Sequence, residues 1–281
     1  MRAEARVWTR SQGNLPKPSN LEESASTGTR EPQLFALNER RRGLTVDYDE
    51  SGSPTTNVDR SVTALIQKHL AAMGYDAACS GEEIDPQQVH SKQLEFVIDG
   101  IDGTRNLRDG NWGWCVSVAA VFENVPVVGV VYDPCLNQMY SAATGHGASL
   151  TVGEARSRLE IPTSCPSDFS FSVGSFRHGA MNDEKRRLIE GIKALGGRGR
   201  EWGSVALSIC GVARGGLGVY VQNSSKRHDH IAALVIASEA GAAIQERVAK
   251  EPLRSRCGRL PPKFEGRRER PTAVEVTSQP T

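Results

Sequence analysis

Val62, Leu65, Ile66, Leu70 and Met73 recur at the three- and four-residue spacing of one helical face, with Gly74 behind them. An amphipathic helix is therefore expected from Val58 to a stop at Gly74. The period then changes. Leu94 to Ile98, Cys115 to Phe122 and Val127 to Tyr132 are apolar runs of strand length, too short for helices and too continuous for a face in water, so buried strands are expected. Glu123-Asn124-Val125-Pro126 separates the last two as their hairpin connection. Asp183 to Leu195 reads as an exposed helix. Gly203 to Ala213, rich in small and apolar residues, reads as a tightly packed one, and Ile231 to Ala240, apolar on most sides, as a buried one. Mixed blocks of strand and helix without regular βαβ alternation predict an α+β or layered α/β domain.

The two ends break the pattern. Residues 1–45 contain Pro16, Pro18, much Ser, Thr and Asn, and no sustained period, which predicts an irregular N-terminal extension. Residues 247–281 are rich in Arg and Pro and hint at a strand only over Ala273 to Val276, so an irregular basic tail is expected after a core spanning 46–246. The ends carry net charges of +3 and +5, and because the whole chain carries +1, the core is left at −7. An acidic core disfavours binding of polyanions but suits carboxylates gathered around divalent cations. Arg254, Arg256, Arg259, Arg267, Arg268 and Arg270 form a basic run that reads as solvated, and no nucleic-acid partner is expected.

At 281 residues a sizeable core is within reach. No run of about 18 apolar residues is present and the N-terminus lacks the apolar stretch of a secretory signal, which predicts a cytoplasmic protein without a membrane partner. Cys79, Cys115, Cys135, Cys165, Cys210 and Cys257 contain no Cys-x-x-Cys pair, as expected of reduced, mostly buried thiols.

The segment that points to chemistry is Asp99-Gly100-Ile101-Asp102-Gly103-Thr104, directly after the first predicted strand. Two carboxylates three residues apart on a tight turn can face one side, and with the turn's carbonyls they offer the oxygen donors that magnesium requires. Gly103 and Thr104 offer backbone N–H groups to an anion if a helical turn begins there. Alone, such a pair reads more readily as aspartates capping backbone amides. It is not alone. Asp59 opens the first predicted helix, Gly81-Glu82-Glu83 follows that helix, and Asp229 stands at the edge of the last.

Gly81-Glu82-Glu83, then Asp99-Gly100-Ile101-Asp102-Gly103-Thr104-Arg105-Asn106, then Asp229 ahead of Glu239-Ala240-Gly241, together with Gly203-Ser204-Val205-Ala206-Leu207, resemble the inositol monophosphatase family over residues 53–242. The resemblance implies a layered α-β-α-β-α sandwich and magnesium-dependent hydrolysis of a small phosphate monoester, inositol monophosphate by default. Histidinol phosphate, a 3′-phosphorylated nucleotide, or a non-catalytic binding module are the other readings. By the same resemblance two or three Mg2+ ions would be held by Glu82, Asp99, the carbonyl of Ile101, Asp102 and Asp229. Asp59 and Thr104 would activate the attacking water, with Glu82 also in the catalytic set. Phosphate would lie on the Gly103 and Thr104 amides, and the alcohol of the substrate near Gly203, Ser204 and Gln222. A homodimer acting on a small phosphorylated substrate is the implied assembly.

The chain departs from that family in places. Gly100 stands where a proline is usual, which implies a more flexible turn. His228 replaces the tryptophan usual before the last aspartate, Ala242 replaces a glycine, and Gln222 stands where inositol-specific members carry an acidic residue. Gln222 reads equally as an exposed loop residue. The family's long N-terminal amphipathic helix and its closing strands are both expected to be missing.

Overall fold

The structure is a computed structural model that describes residues 17–48, 52–85, 93–161, 168–174, 181–248 and 273–278. In chain order its elements are α1 (Pro18–Arg42), β1 (Val46–Tyr48), β2 (Pro54–Thr56), α2 (Asn57–Ala72), β3 (Ala77–Gly81), β4 (Leu94–Asp102), α3 (Thr104–Asp109), β5 (Cys115–Phe122), β6 (Val125–Asp133) and β7 (Gln138–Ala143). There follow β8 (Gly147–Val152), β9 (Ala155–Leu159), β10 (Phe169–Val173), α4 (Met181–Ala194), β11 (Gly197–Gly199), α5 (Val205–Ala213), β12 (Val219–Ser225), α6 (Arg227–Glu239), β13 (Ala243–Val248) and β14 (Ala273–Ser278).

The strands of β4, β5 and β6 read as unbroken apolar runs because both of their faces are covered. Alternate residues part to opposite sides. Phe96, Ile98, Val116, Val118, Ala120, Val128 and Val130 join Leu21 and Ala25 of α1 and Val58, Val62, Ile66 and Leu70 of α2 in one core. Val97, Cys115, Ala119, Val121 and Val131 join α5 and α6 in another, which is closed on its far side by Tyr220 and Val274. These strands belong to a seven-stranded sheet ordered β3-β4-β5-β6-β7-β8-β9, antiparallel except where β3 runs parallel to β4. A second sheet, ordered β11-β10-β12-β14-β13, is parallel throughout. Helix α4 covers its outer face through Ile192 against Phe169, Phe171 and Val173. The layers are therefore α1/α2, the large sheet, α5/α6, the small sheet and α4, the α-β-α-β-α order that the motifs imply.

Both ends correct the sequence reading. Far from being irregular, residues 18–42 form a 25-residue helix. Its buried stripe is Leu21, Ala25, Thr29, Pro32 and Ala36, a helical spacing written in residues too small and too polar to register as a hydrophobic period. Pro18 sits in the first turn, where an N–H has no helical partner and its loss costs nothing. The tail is likewise not wholly irregular, since β13 extends to Val248 and β14 is inserted between β12 and β13. The missing closing strands are thus present, and β14 has its hydrogen-bonding partners on other elements, a dependence that no local pattern carries. Residues 1–16, Cys165 and the rest of the expected tail, including its arginine run and Cys257, lie outside the described residues. The hairpin between β5 and β6 is also tighter than expected. Glu123 and Asn124 alone form the turn, at φ 47° and 65°, the left-handed pair that matches strand twist, while Val125 and Pro126 already belong to β6. The thiol expectation holds for Cys115 and Cys210, which are buried, while Cys79 is half-buried and Cys135 exposed.

Candidate active site

The two aspartates of the central motif do not sit on a tight turn. Strand β4 continues through both of them. In a regular strand, residues three apart face opposite sides, yet Asp99 pairs with Ser117 and Asp102 with Cys115, so the partner advances by two residues while β4 advances by three. That extra residue is a β-bulge, and it turns both carboxylates to one side. Gly103 then adopts φ 98° and caps α3, which begins at Thr104.

Gly100 corrects the expectation of a loose turn. It is buried, and a Cβ there would lie 2.8 Å from the carbonyl oxygen of Asp59 and 2.5 Å from Thr63 Oγ1. Glycine allows the first turns of α2 to pack against the bulge, and so brings Asp59 to the motif. Asp59 is the third residue of α2 and is only 2 % exposed. One of its carboxylate oxygens accepts hydrogen bonds from the Thr56 N–H at 3.0 Å and the Thr56 hydroxyl. The other faces Thr104 Oγ1 at 2.9 Å, which also lies 3.1 Å from the Ile101 carbonyl. Burial raises the Asp59 carboxyl above the ordinary aspartate range despite these bonds.

Asp102 is held by the start of α5. Its carboxylate accepts from Ser204 Oγ at 2.5 Å, Ala206 N–H at 2.6 Å and Val205 N–H at 3.3 Å. Burial and the charge of Asp229 nevertheless push it up to about 7. Asp99 is 2 % exposed, and its Oδ1 is buried with no hydrogen-bond partner. It too is raised well above the usual range, by burial first and then by Asp102, Glu82, Asp229 and Asp59. All five acidic residues singled out in the sequence therefore share one electrostatic site. Glu83, beside them, is raised by burial and by Asp59 and Glu82.

Glu82 and Asp229 form the more open rim. Glu82 Oε1 receives Lys226 Nζ at 2.8 Å, and Asp229, at the third position of α6, accepts the Lys226 N–H at 2.7 Å, the capping role its place in the sequence suggests. Sequence reasoning noted His228 only as a substitution. A ring nitrogen of His228 and carboxylate oxygens of Glu82 and Asp99 lie within 4.8 Å of one another, a grouping that residues 82, 99 and 228 could reveal only once folded.

Each of the residues expected on the substrate side makes contacts within the protein. Ser204 caps α5, accepting from Leu207 N–H at 3.0 Å, and its proton points to Asp102, so it positions a carboxylate. Gly203, at φ 76°, leaves room for Asn106 Nδ2, 2.6 Å from where a Cβ would stand. That amide donates to the carbonyls of Trp202 at 2.7 Å and Gly113 at 2.6 Å and ties residues 202–204 to the motif helix. Gln222 is no exposed loop residue. It is 2 % exposed on β12, where its Oε1 accepts from the Tyr220 hydroxyl at 2.8 Å. Burial raises the Tyr220 phenol, and Asp102 and Asp229 add to the effect, which places this pair within electrostatic reach of the carboxylates.

A buried carboxylate oxygen without a donor, surrounded by like charges, is stable only when protonated or when a cation supplies the missing partner. The donors here are carboxylate and carbonyl oxygens, which fit a hard divalent ion.

The sequence model of the inositol monophosphatase family matches residues 29–264. Inositol-1-monophosphatase SuhB of Mycobacterium tuberculosis is 32 % identical over 196 residues, covering 68 % of each chain. Nus factor SuhB of Haemophilus influenzae is 28 % identical over 206 residues, covering 73 % of this chain and 76 % of its own. A solved structure of an IMPase/NADP phosphatase complexed with Mg2+ and phosphate superposes with a TM-score of 0.68 at 21 % identity, covering 80 % of this chain and 83 % of that one. At that identity the likeness establishes the fold.

Proposed function

This chain belongs to the inositol monophosphatase family, and on that premise we propose that it hydrolyses a small phosphate monoester, with inositol monophosphate as the default substrate. The observation that carries the reading is the buried, unpartnered Asp99 Oδ1 among four other carboxylates. Two or three magnesium ions would be held by Glu82, Asp99, Asp102, Asp229 and the Ile101 carbonyl. When bound, they supply Lewis acidity that lowers the pKa of water and stabilises the leaving oxygen.

The chain's own contribution is proton handling and placement. Thr104 Oγ1 takes a proton from the attacking water while passing its own to Asp59 Oδ1, 2.9 Å away. Thr56 secures the other oxygen of Asp59, and burial keeps Asp59 basic enough to accept. Gly103 and Thr104 N–H groups hold phosphate oxygens, and Gly203 and Gln222 border the alcohol, with Ser204 acting through Asp102. Since Gln222 is neutral, histidinol phosphate or a 3′-phosphorylated nucleotide is the alternative substrate. The protein works as a cytoplasmic homodimer in this reading, which light scattering of the purified chain tests.

A second reading, a binding module without catalysis, is favoured by one contact. Lys226 Nζ lies on Glu82 and competes with a metal ion for that carboxylate. Phosphate release from a phosphoester panel, with and without Mg2+, separates the two. Magnesium-dependent release that is lost in Asp99→Asn supports the enzyme, and no release from a folded chain with any ester supports the module.

A further inference from the structure

The ligand set above omits a buried nitrogen base that stands beside it. His228 is the second residue of α6, and its side chain is 10 % exposed. Its Nε2 is fully buried and makes no hydrogen bond, because Asp229 Oδ1, although 3.1 Å away, is out of line with it. The groups facing the ring are anionic, namely Glu82, Asp99 and Asp229, with Lys226 held on Glu82. An imidazole nitrogen with no donor or acceptor is left unsatisfied at a cost comparable to a lost hydrogen bond. A cation at this spot would satisfy it. Ligand atoms around one octahedral ion with bonds of about 2.1 Å stand roughly 3 to 4.2 Å apart. A ring nitrogen of His228 and carboxylate oxygens of Glu82 and Asp99 already lie within 4.8 Å of one another, so a small side-chain rotation closes the set. The unpartnered Oδ1 of Asp99 independently points to the same ion.

We propose that His228 is a nitrogen ligand of the cation held by Glu82 and Asp99, and that this mixed donor set makes the site prefer Mn2+ to Mg2+. The inference rests on the reading that these carboxylates hold a divalent cation. Its reason is chemical. Magnesium dehydrates reluctantly and takes oxygen donors, whereas imidazole nitrogen suits first-row transition ions. One neutral nitrogen in an otherwise all-oxygen set therefore shifts selectivity while leaving magnesium able to bind through the carboxylates.

The test uses the full-length protein stripped of metal, titrated with Mn2+ and then competed with Mg2+, while the electron paramagnetic resonance signal of free Mn2+ is followed. Wild type is compared with His228→Phe, which keeps a planar ring, and His228→Gln, which keeps polarity; circular dichroism verifies folding. Loss of the nitrogen ligand should weaken Mn2+ binding by about tenfold or more and change Mg2+ affinity by less than about threefold. Electron spin-echo modulation from a directly bound nitrogen should be present in Mn2+-loaded wild type and absent from both variants. A merely structural histidine would not produce that signal. If wild type binds Mn2+ without nitrogen modulation, or both variants keep the wild-type ratio of affinities, the histidine assignment is overturned and the cation site stands. If wild type binds neither ion, the cation site falls as well.

Discussion

Replacing Gly100 by alanine discriminates between two accounts of the bulge that carries Asp99 and Asp102. If the glycine loosens the turn, a side chain should stabilise the protein by about 0.4–1 kcal/mol through the unfolded chain. The structure requires the opposite sign. The added Cβ would stand 2.8 Å from the Asp59 carbonyl oxygen and 2.5 Å from Thr63 Oγ1. Thr63 can rotate its hydroxyl, whose oxygen is buried and unpartnered, but the carbonyl belongs to the backbone of α2, and relief requires that helix to retreat by several tenths of an ångström. Overpacking of this kind costs about 1–3 kcal/mol. It also draws Asp59 from Thr104, whose 2.9 Å hydrogen bond has little slack before it weakens. Gly100→Ala should therefore unfold at lower urea with an unchanged m-value, and kcat should fall by more than KM changes. Equal or greater stability in the variant would refute the packing argument and restore the flexible turn.

Two further outcomes follow from the same packing. Burial and the charge of Asp229 push Asp102 up to about 7 in the folded chain, against 3.8 ordinarily, so between those values the native state holds a proton that the unfolded state has released. Metal-free stability from this group is complete below about pH 4 and is lost as pH rises toward about 7, by roughly 4 kcal/mol at about 1.4 kcal/mol per unit. Melting scans in chelator should show that decline, and Mg2+ should raise Tm more near pH 8 than near pH 5; a flat profile with equal gains speaks against it. Leu21→Ala, in a helix the composition conceals, removes a 1 %-exposed side chain from the core beneath α2 and should cost about 2–5 kcal/mol in denaturant titration, whereas an irregular extension would lose almost nothing.

The sequence by itself determined the chemistry-bearing residues and the strongest local elements. The α2 period, the buried runs of β4 and β5 and the order of the acidic motifs are one-dimensional signals, because helical spacing and strand length are set by neighbours along the chain. Those signals also implied the layered fold through a family resemblance. Tertiary structure decided the rest. Helix α1 has a buried stripe of small residues that makes sense only against α2 and the sheet, and β14 exists through hydrogen bonds to β12 and β13. The side-by-side placement of Asp99 and Asp102 depends on a bulge fixed by pairing with β5. The engagement of Ser204 with Asp102 and the approach of His228 to Glu82 and Asp99 join residues far apart in the chain. Burial, which shifts these groups and leaves some without partners, is a property of the packed molecule, and no spacing along the chain encodes it.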